Sequence, residues 1–444
     1  MQKNTKMKTS SYSRTKVREN FEKFFDKSAI EKTAQSTGFS VRKHRKISSF
    51  DFVLGFILCC CKKKNTYAEW AIQIGKLSGK TLQKQSVFNR MSEKAVTFSK
   101  HLLEKALVNR GLAQSARGLL HCFGKVLLQD STTLRLPESL AKVFPGNTSR
   151  GKQRAIARIQ TLINVKAMKF IDFALHAFTQ NDQSASSSIL AYVNKGDLVI
   201  RDLGYFALNT FEKLKEKQVY FLSPIRYGVK LYNQHGGAIS VKDLMQHKKA
   251  IDRWVYIGKE RKVWGRLIMI PLGEKQAAEK RRKARHDRDK RLNHNKEYYR
   301  WIGYTALITS VNDDIWSTRQ VAQVYKVRWQ IEIIFKSWKS GFHLQALLHE
   351  RCTNEYRAKL SIYLILLFLC LFMQKIYVVY KEAIEKKTHG FISLLKLISF
   401  VSTNFIEFFM LSSNHIKEQI ALHCCYDKRY DRINMADLLQ SLKN

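Results

Sequence analysis

The chain has 444 residues, and its 78 lysines and arginines outnumber its 36 aspartates and glutamates, giving a formal net charge of +42. This length favours more than one domain and supports a sizeable core. So large a positive excess indicates a polyanionic partner, because neutralising phosphates releases counterions and drives binding. None of the eight cysteines forms a C-x-x-C pair, which argues against a zinc site or a disulfide scaffold and favours reduced cysteines in a cytosolic protein.

An acidic membrane surface is the competing partner for a basic chain. The longest uncharged run, residues 360–374, has about 15 residues, which is too short to span a bilayer. The polar N-terminus lacks the apolar segment of a signal peptide. We therefore expect no membrane partner and predict a buried helix over this run.

The N-terminal part begins with a polar, basic stretch over residues 1–48 that ends in the cluster 42–46 and predicts a mobile or DNA-ordered arm. Residues 50–107 show helical periodicity broken by glycines. They are compatible with a helix-turn-helix-like unit whose groove-facing piece is 81–90. A plain helical bundle explains the same pattern equally well.

The pattern becomes mixed after residue 111. It predicts a strand at 126–128, a hairpin over 156–178, a helix at 184–193, a strand at 198–200, a helix at 208–217 and a strand at 219–222. Such an order is typical of a central sheet with helices around it.

Residues 226–311 are strand-like, with glycine-rich turns and a run dense in Lys and Arg at 275–296, so they predict an all-β insertion with a basic loop. Ser317, three residues before Gln320, predicts a capping-box start for the next helix. From Tyr356 onward the chain is helical and apolar, which suits packing or subunit contact.

Two aspartates follow apolar strands in this acid-poor chain. Asp130 comes after Val-Leu-Leu-Gln and Asp202 after Leu-Val-Ile-Arg, and strand ends deliver functional groups to a shared cleft. A helix N-cap or a turn residue is an equally good interpretation of either aspartate alone.

A third carboxylate, Glu332, lies in a cationic helix. At about 100° per residue, an α-helix places it with Tyr325, Arg328 and Lys339 within an arc of roughly 60°, and Lys336 beside them. A solvated face is the alternative, although it would mix acids and bases more evenly. Three converging carboxylates would repel one another unless they hold divalent cations, and oxygen ligands suit magnesium or manganese.

These motifs resemble a known family. Asp130-Ser-Thr, Asp202-Leu-Gly-Tyr205 and the spacing Tyr325-x2-Arg328-x3-Glu332-x6-Lys339 are similar to the signatures of bacterial DDE transposases of the insertion-sequence-four family, over about residues 120–345. The resemblance implies an α/β, ribonuclease-H-like mixed sheet flanked by helices. It also implies that Asp130, Asp202 and Glu332 bind Mg²⁺ or Mn²⁺ as two ions, whereas Tyr325, Arg328, Lys336 and Lys339 hold phosphates.

The resemblance also implies cut-and-paste transposition of an insertion sequence, by end nicking, hairpin formation and strand transfer. Its partners would be double-stranded DNA, as terminal inverted repeats and target, and a second copy of the chain in a synaptic complex. The expected location is the bacterial cytoplasm, at the nucleoid. The resulting domain prediction is a basic arm and helical DNA-binding region at 1–110, the first part of the catalytic core at 111–225, the β-rich insertion at 226–311, the core helix with the Tyr-Arg-Glu-Lys motif at 312–350, and a helical region for dimerisation at 351–444.

Members of the family stack an extruded base on a tryptophan of the insertion, and Trp254, Trp264 and Trp301 are the candidates here. Cross-strand aromatic packing is the competing role for each. Lys280, Arg281 and Arg282 are expected to follow the DNA backbone, with a solvated loop as the alternative.

Two other functions fit the same residues. One is an inactive or domesticated relative that only binds DNA or RNA, against which the presence of all three carboxylates argues. The other is a metal-dependent nuclease with the same core that cannot transfer strands.

Overall fold

The computed structural model describes residues 14–41, 47–62, 66–108, 118–149, 151–246, 248–260, 263–286, 295–348, 353–388, 391–410 and 412–426. The basic cluster predicted at 42–46 lies outside these residues. The chain divides into two compact units. The helical unit comprises the described residues within 14–108, 134–156 and 333–426, and the sheet unit comprises those within 118–133 and 157–332.

The helices are α1 Arg14–Phe25, α2 Lys27–Ser36, α3 Ser49–Cys61, α4 Tyr67–Ser78, α5 Lys84–Phe88, α6 Glu93–Val108, α7 Leu208–Glu216, α8 Val241–Leu244, α9 Glu274–Arg285, α10 Lys296–Trp301, α11 Thr318–Tyr325, α12 Trp329–Ser340, α13 Leu344–Leu347, α14 Glu355–Phe372, α15 Val378–Thr388, α16 Leu394–Thr403, α17 Phe405–Met410 and α18 Ser413–His423. The strands are β1 Val126–Leu136, β2 Pro145–Ser149, β3 Lys152–Asn164, β4 Lys169–Ala177, β5 Leu198–Arg201, β6 Tyr220–Pro224, β7 Leu231–Tyr232, β8 Ala238–Ile239, β9 Ile251–Ile257, β10 Val263–Pro271 and β11 Tyr304–Thr309.

A mixed sheet organises the sheet unit. Its strand order is β3-β1-β5-β6-β11-β10-β9-β7-β8, with β4 paired to β3. Within the helical unit, β2 pairs with the beginning of β3. Strands β1, β5 and β6 run parallel, and the pairs from β6 to β8 are antiparallel. Leu127, Val199 and Phe221, one from each parallel strand, are fully buried in the core. The predicted mixed α/β class is confirmed, as are the hairpin β3–β4 and the helix α7.

The prediction of an all-β segment at 226–311 is wrong. Helices α8, α9 and α10 lie within it, and β11 joins its strands to β6 in the same sheet. Within the basic run predicted as a loop at 275–296, residues 275–285 belong to helix α9, whereas 287–294 lie outside the described residues. The high charge of this run suggested a loop, but Glu, Lys, Arg and Ala are also strong helix formers. The sequence of α9 is EKQAAEKRRKAR, in which nine of the twelve residues are Lys, Arg or Ala.

The first described residues are not a free arm. In the helical unit Phe21 is fully buried, and its ring lies 5.5 Å from that of Phe405 and 4.8 Å from that of Phe409. Phe21 and Phe25 are four residues apart and share one face of α1, which gives this basic helix an apolar side. The prediction of a polar arm is therefore wrong for α1 and α2.

The predicted groove-facing piece at 81–90 contains only α5, a helix of five residues. A helix this short does not decide between a helix-turn-helix-like unit and a plain bundle, so both stay predictions.

One helix of the helical unit is longer than the sequence suggested. Helix α14 continues through a π-helical segment, Met373–Tyr377, into α15. The span Glu355–Glu385 has 31 residues and a mean hydropathy of 2.3 in its most apolar window, enough to cross a membrane by length and composition, but 78% of that window is buried inside the protein. Burial of this kind is typical of a core helix, as predicted, although the uncharged run underestimated its length.

We expect Phe21→Ala to lower the free energy of unfolding by about 3–5 kcal/mol, because truncating a buried phenylalanine loses apolar burial and leaves a cavity. The measurement is the urea midpoint of the transition that reports the helical unit. Lys23→Ala, on the exposed side of the same helix, is the matched control and should change little. Equal, small effects of both substitutions would show that α1 does not pack as described.

Candidate active site

Asp130 and Asp202 lie next to each other on neighbouring parallel strands. The pairing of β1 with β5 runs from Val126↔Leu198 to Gln129↔Arg201. The two aspartates are the residues that directly follow the last pair, so the register places them side by side. Their juxtaposition follows from backbone pairing and does not depend on the side chains.

The structure corrects one detail of the prediction. Asp202 follows β5, as expected, but β1 continues to Leu136, so Asp130 lies inside a strand and not at its end. The residues after Asp130 are Ser131, Thr132 and Thr133, and threonine favours extended backbone because its branched Cβ fits a pleated surface.

Burial and charge act together on Asp130. Burial raises the pKa of its carboxyl group to about 7, and the neighbouring carboxylates of Asp202 and Asp182 raise it further, against the opposing effects of Ser131 and Arg328. The backbone N–H of Ser131 donates to Asp130 Oδ1 over 2.7 Å. Near neutral pH this carboxyl group therefore exchanges readily between its neutral and ionised forms.

Arg328 joins the third carboxylate to this pair. One terminal nitrogen of its guanidinium is 3.6 Å from Asp130 Oδ2, and the other is 2.7 Å from Glu332 Oε1. Its guanidinium carbon is 5.9 Å from the centre of the Tyr325 ring. The structure thus brings together five of the predicted site residues, all in the sheet unit: Tyr325, Arg328, Glu332, Asp130 and Asp202.

The backbone that carries this motif is not one regular α-helix. Helix α11 ends at Tyr325, a 3₁₀ turn covers Lys326–Arg328, and α12 begins at Trp329. The prediction of one uninterrupted α-helix over this motif is therefore wrong, although Arg328 still contacts Glu332 and lies near the Tyr325 ring. The capping box predicted at Ser317 and Gln320 is confirmed at the start of α11.

The remaining basic residues of the motif, Lys336 and Lys339, are exposed on α12, about one and two turns beyond Glu332. Tyr325, unlike these lysines, is partly buried. Burial raises the pKa of its hydroxyl group, and Asp202 and Asp130 raise it further, whereas Arg328 lowers it. Tyr325 is therefore a neutral phenol, able to donate a hydrogen bond to an oxygen atom.

The carboxylates fit a hard divalent cation by their chemistry. They offer only oxygen donors, which magnesium and manganese prefer. Burial, and after it the neighbouring carboxylates, raise the pKa of Asp130, so a cation would stabilise its ionised form. Within the described part of the chain, no three His, Cys, Asp or Glu side chains are close enough to form a preassembled metal cage. The positive charge between Asp130 and Glu332 is supplied by Arg328.

Asp182 was not among the predicted site residues. Its Oδ1 accepts hydrogen bonds from Ser131 Oγ (2.7 Å), Arg158 (2.8 Å) and Gln160 (3.0 Å). This aspartate precedes the predicted helix at 184–193, which the structure shows as a short 3₁₀ helix, Ser186–Ala191. The scarcity of acids was the available signal, since 36 acidic residues among 78 basic ones leave few candidates for a carboxylate site.

The three tryptophans proposed for base stacking differ in how deeply they are buried. Trp301 is only 8% exposed and belongs to the core, which excludes it as a platform for a base in this conformation. Trp254 and Trp264 are partly exposed on β9 and β10, with stacked rings 5.9 Å apart. The predicted DNA-backbone residues Lys280, Arg281 and Arg282 lie on α9, where Arg281 donates to the carbonyl oxygen of Tyr299.

The chain is similar in sequence to known transposases. The sequence model of the family described as "Transposase DDE domain" matches residues 121–373, more than half of the chain. The transposase for insertion sequence element IS231B of Bacillus thuringiensis subsp. berliner is 26% identical over 370 residues, which are 77% of this chain and 76% of that protein. The transposase for IS1151 of Clostridium perfringens is 27% identical over 350 residues, 72% of each chain.

A solved structure, the piggyBac transposase synaptic complex with hairpin DNA, matches with a TM-score of 0.42 and 9% identity, covering 94% of this chain and 86% of that one. A likeness this low supports no argument about the present chain. The family match includes both aspartates, Arg328 and Glu332. Enzymes with this domain depend on divalent metal ions and act on DNA. The chain therefore belongs to the transposase DDE domain family, and it is a bacterial DDE transposase.

Proposed function

We propose that this enzyme moves an insertion sequence by cut-and-paste transposition, with Asp130, Asp202 and Glu332 as its metal-holding carboxylates. The observation that carries the proposal is the register of β1 and β5, which sets Asp130 beside Asp202. Arg328 supports the inclusion of Glu332, because its guanidinium contacts both Glu332 and Asp130.

The catalytic core is proposed to be ribonuclease-H-like. The strand order β4-β3-β1-β5-β6, with an antiparallel hairpin on one side and two parallel strands on the other, supports it. In such a sheet the functional groups gather where parallel strands end, and Asp202 occupies that position.

The cofactor is proposed to be Mg²⁺ or Mn²⁺, as two ions. When bound, such ions activate water or a 3′-hydroxyl group and stabilise the leaving oxygen at phosphorus. The carboxylates of Asp130 and Asp202 would hold them from neighbouring strands, and Glu332 would complete the ligand set from α12. Burial of Asp130 limits the access of water to this carboxylate, which strengthens its interaction with a cation.

The cations and the phenol near the carboxylates are proposed to hold the DNA end. Arg328 presents a planar, permanently charged fork suited to phosphate oxygens, and Tyr325 offers a neutral O–H donor. Lys336 and Lys339 extend the positive charge along α12, and Lys280, Arg281 and Arg282 extend it along α9. Contacts of this kind position the duplex without reading its sequence.

The reaction is proposed to proceed by end nicking, hairpin formation and strand transfer, in a homodimeric synaptic complex with terminal inverted repeats and target DNA at the nucleoid. A hairpin requires a sharp distortion of the DNA end, and an aromatic surface can stabilise an unstacked base. The stacked pair Trp254 and Trp264 is the proposed surface, because both rings are partly exposed.

Asp130→Asn should abolish cleavage of DNA carrying the terminal repeats while leaving DNA affinity largely unchanged, because the substitution keeps shape and removes a metal ligand. The measurement combines a Mg²⁺-dependent cleavage assay with a gel-shift titration. Asp243→Asn, which changes an exposed aspartate of α8, is the control and should cleave normally. Cleavage by Asp130→Asn at the wild-type rate would remove this aspartate from the site. Nicks without hairpin or transfer products from the wild type would instead identify a nuclease.

The pKa of Asp130 predicts a stability difference that depends on pH. The native state holds the proton with a pKa of about 7, whereas an unfolded aspartate has a pKa of about 3.9. Between these values the native state binds more protons, so raising the pH from 5 to 8 destabilises the metal-free wild type. The melting temperature of Asp130→Asn should therefore exceed that of the wild type by a margin that grows over this range.

Calorimetry without divalent ions measures that margin, and saturating Mg²⁺ should narrow it because the ion binds only the wild-type carboxylate pair tightly. A margin that is constant from pH 5 to pH 8 would contradict the raised pKa.

The helix α9 predicts a salt effect. Arg282→Ala should weaken DNA binding at every sequence and reduce the slope of log affinity against log salt by about 1, as expected for one lost phosphate contact. Glu279→Gln is the opposite-sign control, because Glu279 pairs with Lys283 on the same helix and its removal should not weaken binding. An unchanged slope for Arg282→Ala would place α9 away from the DNA.

A further inference from the structure

Asp182 stands at the centre of a hydrogen-bond network that the proposed reaction does not use. Three donors converge on its Oδ1: the Ser131 hydroxyl group, the Arg158 guanidinium and the Gln160 amide. Arg158 is itself buried and also donates to Ser131 Oγ over 3.1 Å. A carboxylate oxygen that is saturated in this way fixes its donors in position.

The network reaches Asp130 through one residue. Ser131 donates its hydroxyl proton to Asp182, while its backbone N–H donates to Asp130 Oδ1 over 2.7 Å. The Ser131 side chain is therefore held by Asp182, and its main chain holds the Asp130 carboxylate. Loss of Asp182 would remove the acceptor that restrains the Ser131 side chain next to this carboxylate.

The network also reaches the motif of Asp202. The Tyr205 hydroxyl group donates to Gln160 Oε1, and the amide nitrogen of the same Gln160 donates to Asp182 Oδ1. Gly204 lies so close that a Cβ atom there would be 3.2 Å from Asp182 Oδ2. The segment that follows Asp202 therefore packs next to Asp182, which also accepts the hydrogen bond from Ser131.

We propose that Asp182 is a positioning residue that fixes the mutual geometry of Asp130 and Asp202, and thereby sets the affinity of the site for divalent cations. The inference rests on the proposed function, in which these two aspartates hold the ions. Partners that orient metal ligands have large effects on affinity, since their removal typically costs about 10- to 100-fold.

A role as a further metal ligand is less consistent with the contacts. Oδ1 is occupied by three donors, and Oδ2 faces the backbone at Gly204. Ser131→Ala separates the two roles, because it removes the hydroxyl group that links this residue to Asp182 and leaves the Asp182 carboxylate in place.

The experiment is Mn²⁺ binding to the DNA-free protein, measured by electron paramagnetic resonance of the free ion, with melting temperature and DNA affinity measured in parallel. The variants are Asp182→Ala, Asp182→Asn, Ser131→Ala and Asp130→Ala. The matched control is Asp252→Asn, because Asp252 has a similar side-chain exposure (28% against 25%) and is likewise paired with a buried arginine, Arg266.

Asp182→Ala should weaken Mn²⁺ binding by about 10- to 100-fold. Asp182→Asn, which keeps one oxygen acceptor, and Ser131→Ala should cause smaller losses, while DNA affinity stays near the wild-type value. Asp252→Asn should affect stability alone. If Asp182→Ala does not fold, Asp182→Asn and Ser131→Ala decide the question.

Wild-type Mn²⁺ affinity in all Asp182 and Ser131 variants, with binding lost in Asp130→Ala, would overturn this inference and leave the proposed function intact. A full loss in Asp182→Ala with no loss in Ser131→Ala would make Asp182 a ligand and would also overturn it. Unchanged Mn²⁺ binding in Asp130→Ala would contradict the proposed function itself.

Discussion

The repulsion between Asp130 and Asp202 is the constraint on which the rest of the site depends. Parallel pairing of β1 with β5 forces the two carboxylates together, and the apolar residues of the same strands keep that register because their side chains fill the core. Shifting one strand by one residue would separate the two aspartates, but it would also move the buried apolar side chains of that strand to the opposite face of the sheet. The site must therefore supply positive charge. Burial is the main cause of the raised pKa of Asp130, and the carboxylates of Asp202 and Asp182 add to it.

Arg328 is the positive charge that the protein itself provides. Its guanidinium contacts Asp130 and Glu332 and lies near the Tyr325 ring, so one side chain connects the sheet to the end of α11 and the beginning of α12. The break between those helices, a 3₁₀ turn at Lys326–Arg328, sets the direction in which Arg328 points. An arginine suits this place because its fork can contact two carboxylates at once and remains charged when buried. On the other side of Asp130, the Asp182 network restrains Ser131, so the carboxylate is held from two directions.

Five of the predicted site residues lie together in the structure, and each belongs to a short motif that is visible along the chain. The mixed sheet, the hairpin β3–β4 and the capping box at Ser317 followed from periodicity and capping chemistry. The errors arose where tertiary contacts decided the outcome. Part of the basic run predicted as a loop is helix α9, and the N-terminal stretch predicted as an arm contains α1, which buries Phe21. Trp301, a candidate for base stacking, is buried in the core. Asp182 could not be assigned, since its three donors come from β1 and β3 and no pattern along the chain connects them.

The central claim is that the pairing of β1 with β5 creates a divalent-cation site between Asp130 and Asp202. Crystals of the enzyme soaked in Mn²⁺ test it most directly, because anomalous scattering locates manganese without reference to activity. We expect an anomalous peak within coordination distance of both aspartate carboxylates, about 2.0–2.3 Å for such hard cations, and its loss in crystals of Asp130→Asn. Manganese bound elsewhere in the wild type, with no peak between these two side chains, would contradict the account.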